Sequence, residues 1–173
     1  MCIRDSNNGL GVMITNKAVV SVFSNNKISK NKSGGMTVKA GARVDKAKGN
    51  SFVGHNKNAL SIYSATVKKV TENKFSNSTA NYEVYLENAT SNISTQKPVT
   101  IGKVKSSSKK IKGSAPSKAS VKVKVGKKTY KGKVSGKGNY SIKISKQPKK
   151  TKVEVIAIAQ DKNEFSNTTV ISK

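Results

Sequence analysis

The sequence predicts an all-β protein of two parts, a parallel β-solenoid of about three to four rungs followed by a small β-sandwich. Three observations support this prediction. Apolar and asparagine positions recur about every 24 residues in the first half of the chain. The second half consists of short alternating strands with glycine turns between them. The composition lacks Trp and is rich in Val, Ile, Thr, Ser, Asn and Gly, which favour strands and turns over helices.

The repeat of the first half combines two elements, each with its own apolar spacing. Three copies of the first element read Val20, Phe23, Asn26, Ile28; then Val44, Ala47, Asn50, Phe52; then Val67, Val70, Asn73, Phe75. Four copies of the second read Val12 and Ile14, Met36 and Val38, Leu60 and Ile62, Val84 and Leu86. Each unit holds three short strand-like segments separated by turns, which is typical of one solenoid rung.

The repeated asparagines predict a structural ladder. A tight bend between two strands of a rung requires a left-handed backbone, which Asn tolerates and β-branched residues do not. Stacked rungs then place Asn26, Asn50 and Asn73 above one another, where their amides can hydrogen-bond.

The pattern N-x-[IF]…G-[VM]-x-[IV] over residues 8–90 resembles the right-handed parallel β-helix of pectate-lyase-like proteins and their surface relatives. The resemblance implies that Val12–Ile14 and its equivalents form the first sheet. It also implies that the asparagines lie at the turn between the second and third sheets.

The first six residues, MCIRDS, precede a chain that is already inside a rung. Met-Cys-Ile-Arg-Asp-Ser is also the translation of the end of a common transposon-based sequencing adapter. We therefore interpret residues 1–6, which contain the single cysteine Cys2, as adapter read-through on a metagenomic fragment. We expect the natural chain to extend upstream.

The second half begins after a predicted linker at 91–97, and residues 7–90 are assigned to the β-helix. All three prolines lie beyond residue 97, and the strand-like segments SVKVKV, KTYKGKV, YSIKIS and TKVEVIAIA follow at short intervals. This spacing predicts a β-sandwich over 98–173.

The sequence pattern of residues 98–173 resembles that of the immunoglobulin-like domains repeated in Gram-positive surface proteins. The matching positions are Ile111, Gly113, Ala115, Pro116, Val121, Val123, Val125, Tyr130, Gly132, Gly138, Tyr140, Ser141, Ile142, Ile144, Thr151, Val153, Val155, Ala157, Ala159, Asp161 and Ser166. Lys and Ser replace acidic turn residues of that family, so a Ca²⁺-binding variant is not expected.

The charge is concentrated in the second half and predicts polyanion binding. Residues 1–96 carry 13 basic and 5 acidic side chains, whereas residues 97–173 carry 21 and 3, so their net charges are +8 and +18. Such a surface attracts polyanions by counterion release. The candidate binding residues alternate with apolar residues on predicted strands: Lys122, Lys124, Lys131, Lys133 and Lys143. Specific nucleic-acid binding is disfavoured because residues 97–173 contain neither Arg nor Trp.

No catalytic residue, metal site or cofactor is predicted. A lyase site of the β-helix type needs acidic Ca²⁺ ligands on the outer face of the first sheet. The residues predicted there are Met13, Thr37, Ser61 and Tyr85, none of which is acidic. The single histidine, His55, is interpreted as a polar loop residue. Tyr63, Tyr82 and Tyr85 form a possible sugar-stacking cluster.

These observations favour a secreted or cell-surface structural and adhesion module of a Gram-positive bacterium that binds anionic polysaccharide or cell-wall polymer. The alternative is an accessory C-terminal part of a polysaccharide lyase or hydrolase whose active site lies in upstream rungs. No segment approaches the roughly 18 uninterrupted apolar residues of a membrane span, so none is predicted.

Overall fold

The computed structural model describes residues 4–76, 79 and 81–172, without the side chains of residues 4 and 5. Cys2 therefore lies outside the described residues. Every regular element in the described part of the chain is a β-strand. The chain divides into two compact units: the first comprises residues up to Pro98 together with Asp161–Asn163, and the second comprises Val99–Gln160 and the residues from Glu164 onward.

The first unit is a parallel β-solenoid of about three turns, as the sequence predicts. The first sheet contains β2 (Val12–Ile14), β5 (Met36–Lys39), β8 (Leu60–Tyr63) and β11 (Val84–Glu87). The second contains β3 (Val19–Ser24), β6 (Arg43–Lys48), β9 (Thr66–Thr71) and β12 (Thr90–Ser91). The third contains β1 (Arg4–Ser6), β4 (Lys27–Ser29), β7 (Ser51–Val53) and β10 (Lys74–Ser76). All these strands pair in parallel with the equivalent strand of the neighbouring turn.

The register of the three sheets follows the repeat in the sequence. In the third sheet Ile28, Phe52 and Phe75 are successive partners. The rings of Phe52 and Phe75 stack with centroids 5.3 Å apart and planes 4° from parallel. Both are fully buried, and burying such a side chain contributes about 1.5–3 kcal/mol. A slip of one residue would turn every apolar column outward, so the core itself fixes the register.

The corner between the second and third sheets differs from the expectation in one respect. The left-handed residue is the one before each ladder asparagine: Asn25 (φ 56°), Gly49 (φ 67°) and Glu72 (φ 57°). The expectation that the ladder asparagines themselves adopt this backbone was wrong. Because the preceding residue makes the bend, the ladder side chain is free to point inward, and its identity is set by hydrogen bonding.

The last turn ends against side chains and a returning segment. Gln96 forms an antiparallel bridge with Val84, its N–H donating to the Val84 carbonyl at 2.8 Å. Asn92 accepts a hydrogen bond from the Val70 N–H at 2.6 Å and donates to the Val70 carbonyl at 3.2 Å. The side chain of Asn92 therefore takes the place of the backbone of a further strand. Without it the N–H and carbonyl of Val70 would lack these partners at the end of the solenoid.

The second unit consists of two antiparallel sheets. One has the strand order β18 (Glu164–Val170), β17 (Lys152–Ile158), β14 (Ser120–Val125) and β15 (Lys128–Lys133). The other pairs β13 (Lys110–Ser114) with β16 (Asn139–Lys143). The preceding segment runs antiparallel beside β13, since Thr100 N–H donates to Ser114 and Gly102 N–H to Lys112.

Alternation of burial along β14 builds part of the core of the second unit. In β14 the three valines Val121, Val123 and Val125 are buried, and the residues between them are exposed. Val123 is paired with Tyr130 on one side and Val155 on the other. The two sheets meet closely, because a β-carbon at Gly132 would overlap the Ile142 side chain. An apolar inner face and a wet outer face are expected of antiparallel sheets.

Candidate functional site

The predicted ladder asparagines lie in one buried column of the first unit. Asn26 donates from its backbone N–H (3.0 Å) and its side-chain amide (2.9 Å) to Asn50 Oδ1. Asn50 donates in the same two ways to Asn73 Oδ1, both at 2.9 Å. The Asn50 amide also donates to the Phe23 carbonyl at 2.9 Å. The Asn50 side chain thus accepts two bonds and donates two, which satisfies a buried amide in the solenoid interior.

A fourth asparagine, Asn163, extends the column by one step. Its Oδ1 accepts the backbone N–H and side-chain amide of Asn73 at 3.0 and 3.1 Å, and its own amide donates to the Val70 carbonyl at 3.1 Å. Asp161 Oδ1 accepts the Asn163 N–H at 3.0 Å. The sequence predictions did not include this residue, although the sequence contains a signal for it: Asn163-Glu-Phe-Ser repeats the Asn73-Lys-Phe-Ser pattern ninety residues later.

A second polar column lies at the corner between the third and first sheets. Asn31 Oδ1 accepts the Asn8 N–H at 3.0 Å, and one rung later His55 Nδ1 accepts the Asn31 N–H at 3.3 Å. His55 Nε2 lies 3.2 Å from the Ile28 carbonyl. An N–H can only donate and a carbonyl can only accept, so these partners require the neutral imidazole with its proton on Nε2.

His55 is therefore a buried structural residue with both ring nitrogens engaged, and its side chain is fully shielded from solvent. Its placement in a loop agrees with the sequence interpretation, but its burial does not. The missed signal is its spacing of 24 residues from Asn31, which is the period of the repeat.

The three candidate sugar-stacking tyrosines form one cluster at the first sheet. The ring centroids of Tyr63 and Tyr85 are 5.7 Å apart with planes tilted by 52°, and those of Tyr82 and Tyr85 are 5.3 Å apart with a tilt of 44°. They line an open cleft of about 510 Å³ together with side chains that offer amide, ammonium and carboxylate groups, among them Asn56, Asn58, Lys57 and Glu87.

A hydrogen bond fixes the central ring of this cleft. The Tyr85 hydroxyl donates to Glu87 Oε2 at 3.1 Å, and this bond to the carboxylate raises the pKa of Tyr85. All three rings are half-buried, so each keeps a face or edge accessible. The cleft therefore combines flat aromatic surface with polar groups around it.

The outer face of the first sheet carries no acid at the four positions that the sequence predicts for lyase-type ligands. Met13, Thr37, Ser61 and Tyr85 are successive partners in its register. Within the described ranges no three His, Cys, Asp or Glu residues group as metal ligands would.

Asp45 lies on the second sheet in an ion-pair cluster. Arg43 Nε donates to its Oδ1 at 2.7 Å, and Lys68 Nζ lies 3.3 Å from the same oxygen. The hydrogen bond from Arg43 lowers the pKa of Asp45. A carboxylate so stabilised in its ionised form is a weak proton acceptor.

Four of the five candidate polyanion-binding lysines share one face of the second unit. Lys122 of β14 is the direct partner of Lys131 of β15, with Lys133 and Lys124 two residues further along on each strand. Partners across a sheet are about 4.5–5.5 Å apart at Cβ, and residues two apart on a strand are separated by about 6.6 Å. The four exposed ammonium groups therefore follow a zigzag line. We call Lys122, Lys124, Lys131 and Lys133 together the lysine face.

One carboxylate interrupts this positive surface. Glu154 of β17 is the partner of Lys124, and its Oε2 lies 3.2 Å from the Lys124 ammonium. Such an exposed ion pair contributes only about 0–1 kcal/mol to stability, so a polyanion can compete for the lysine.

The fifth candidate, Lys143, belongs to the other sheet. It is the direct partner of Lys110 across β16 and β13. The structure therefore separates it from the four residues of the lysine face, although the sequence predicts one group for all five.

No protein-family model matches this chain, and no curated protein shows significant sequence similarity to it. Among the described residues there is no helix with the length and apolar character required to cross a membrane.

Proposed function

We propose that this chain is a structural and adhesion module of a secreted or cell-surface protein of a Gram-positive bacterium, and that it binds anionic polysaccharide or cell-wall polymer. The observation that carries the proposal is the lysine face. Four lysines point outward from two adjacent strands. Two of them, Lys122 and Lys131, are directly opposed, and like charges in this position destabilise a sheet when no anion offsets them. A linear polyanion along the zigzag would meet each ammonium in turn.

The fold-level part of the proposal concerns the two resemblances. The parallel solenoid with its asparagine ladder supports a right-handed β-helix like that of pectate-lyase-like proteins. The pair of antiparallel sheets supports an immunoglobulin-like sandwich in the second unit. Both resemblances are to families that include bacterial surface proteins, which fits the adhesion role.

The chemistry of lysine defines the kind of binding. Its ammonium group is a compact, hydrated point charge without the planar fork by which arginine recognises particular anions. Affinity should therefore follow the charge density of the polymer and not its chemical identity. Log K should fall linearly with log salt concentration.

The salt dependence of polygalacturonate binding tests this proposal. Replacing Lys122, Lys131 and Lys133 together with Ala should reduce the magnitude of the slope by about two, because each neutralised polymer charge contributes somewhat less than one. Isothermal titration at several salt concentrations measures the slope, with neutral dextran as the ligand control.

A matched triple variant removes the same charge from the solenoid. Lys27, Lys30 and Lys74 are exposed, and their replacement with Ala should change the slope by less than half as much. Equal slopes for the two triple variants would show that net charge, not the lysine face, determines binding. Binding that persists at about 0.5 M salt, where the Debye length is about 4 Å, would contradict an electrostatic mechanism.

The tyrosine cleft of the first unit favours a second candidate function, contact with uncharged sugar rings. Replacing Tyr85 with Ala would remove the ring that contacts both other tyrosines. If sugars stack there, this variant should weaken binding of neutral oligosaccharides about five- to tenfold, since aromatic contacts of this kind are worth about 1 kcal/mol or more. Tyr130→Ala in the second unit is the control. Equal affinity in wild type and Tyr85→Ala would eliminate the candidate.

A further inference from the structure

A second basic site lies in the two-stranded sheet of the second unit, away from the lysine face. It is an open cleft of about 410 Å³, within the volume range typical of small-molecule sites. Its lining consists of Lys109, Lys110, Lys143, Ile144, Ser145 and Lys146. Four of these six residues are lysines, and none is acidic.

The backbone holds these lysines at fixed places. Lys110 and Lys143 are direct partners across β13 and β16. The Ile144 N–H donates to the Lys109 carbonyl at 2.9 Å and extends the pairing by one residue. The Ser145 N–H donates to the Tyr130 hydroxyl at 3.4 Å. The charges are thus arranged by a paired strand end and not by a loose loop.

The surface of the cleft is almost entirely apolar carbon. Ile144 is 7 % exposed and contributes a small apolar patch. The lysines add methylene stems, which commonly cover apolar surface while the ammonium group stays in water. The cleft therefore has an aliphatic wall with cationic groups around it. A fully hydrated polymer would leave the wall uncovered, and an uncharged chain would not offset the like charges of the direct partners Lys110 and Lys143.

We propose that this cleft binds a small amphipathic anion, a phosphate or carboxylate head group carried on a short aliphatic chain. The ammonium groups bind the head, and the chain lies along Ile144 and the lysine stems. This site is independent of polymer binding at the lysine face, because it uses the other sheet and requires an apolar contact.

A titration with butyl, hexyl and octyl phosphate below their aggregation concentrations tests the proposal. NMR chemical shifts of the Ile144 methyl groups and the Ser145 amide report on the cleft. Affinity should rise about two- to fourfold for each added methylene, since a fully buried methylene is worth about a factor of four. Inorganic phosphate, which lacks the chain, should bind at least tenfold more weakly than octyl phosphate. Octyl glucoside, which lacks the charge, should give no saturable shift.

Two matched double variants test which lysines bind the anion. Lys109→Gln with Lys146→Gln should weaken octyl phosphate binding at least tenfold, whereas Lys122→Gln with Lys131→Gln should leave it within twofold. All four side chains are exposed, so these changes do not disturb the core.

Two results would overturn the inference. One is an affinity independent of chain length, which would mean that the wall makes no contact. The other is equal weakening by the two double variants, which would mean that the anion responds only to net charge. Polymer binding can fail without affecting this result, because it depends on Lys122 and Lys131 and not on Lys109 and Lys146.

Discussion

The two units of this protein build their cores from different kinds of buried side chain. The solenoid buries polar side chains, with Asn26, Asn50 and Asn73 fully enclosed and His55 in a second polar column. The described strands of the second unit bury apolar residues and Tyr140, while their lysines face outward. A parallel stack repeats its corner at every rung, so an amide always finds the same amide above and below. An antiparallel sheet offers no such repeated partner, and its specificity comes from alternation.

The largest effect should come from placing an amide in the core that lacks a ladder. Val123→Asn removes a fully buried side chain and introduces polar groups without partners. We expect destabilisation of about 3–5 kcal/mol, from lost burial plus the desolvation of the amide. Hydrogen exchange of the β14 amides measures the change. Lys122→Asn, one position away and facing water, should cost less than about 0.5 kcal/mol, and a similar cost for both variants would contradict the difference between the units.

The reciprocal change in the solenoid should have a smaller but clear effect. Asn50→Val removes four hydrogen bonds and leaves the Asn26 N–H and the Phe23 carbonyl without those partners. We expect a loss of about 2–3 kcal/mol, arising from hydrogen bonding alone, because the left-handed residue is Gly49 and is unchanged.

Thermal unfolding and exchange of the Asn26 amide measure this loss. Asn139→Val, at an exposed strand position of the second unit, is the control and should change stability by about 0.5 kcal/mol or less. An unchanged melting temperature for Asn50→Val would show that the ladder contributes nothing to stability.

The smallest predicted effect appears at alkaline pH and concerns the second unit. Burial raises the pKa of the Tyr140 phenol well above its usual value, and its hydroxyl donates to the Thr100 carbonyl at 2.7 Å. The unfolded chain ionises this group near pH 10, whereas the folded chain keeps it neutral. Its stabilising contribution is therefore present below about pH 10 and is lost as the pH rises above that value.

Tyr140→Phe should remove this part of the alkaline loss. At neutral pH the variant should lose about 1 kcal/mol with the hydrogen bond to Thr100. The experiment compares the melting temperatures of the two proteins between about pH 8 and pH 11.5, a range that spans the ionisation of an exposed tyrosine. Parallel curves throughout this range would mean that Tyr140 does not contribute to the alkaline sensitivity.

The sequence names the site residues but does not determine which of them lie together. Lys122 and Lys143 have equivalent surroundings in the sequence, since each stands between apolar residues on a strand. Only the strand pairing assigns one to the sheet of β14 and β15 and the other to the sheet with Lys110. Likewise, the tyrosines are named easily from the sequence, but their grouping with Lys57 and Glu87 depends on the stacking of rungs.

The amino-acid sequence alone specified the class of fold, the three sheets of the solenoid and their register. Periodicity encodes these features because each apolar column must remain inside over successive rungs. It also indicated that Asn26, Asn50 and Asn73 belong to equivalent positions. Which residue makes each bend emerged only in the folded chain, since the left-handed backbone falls on Asn25, Gly49 and Glu72. Folding also brought Asn163 to the end of the column across ninety residues of chain. There its side chain accepts the N–H of Asn73, a buried group that requires a hydrogen-bond partner.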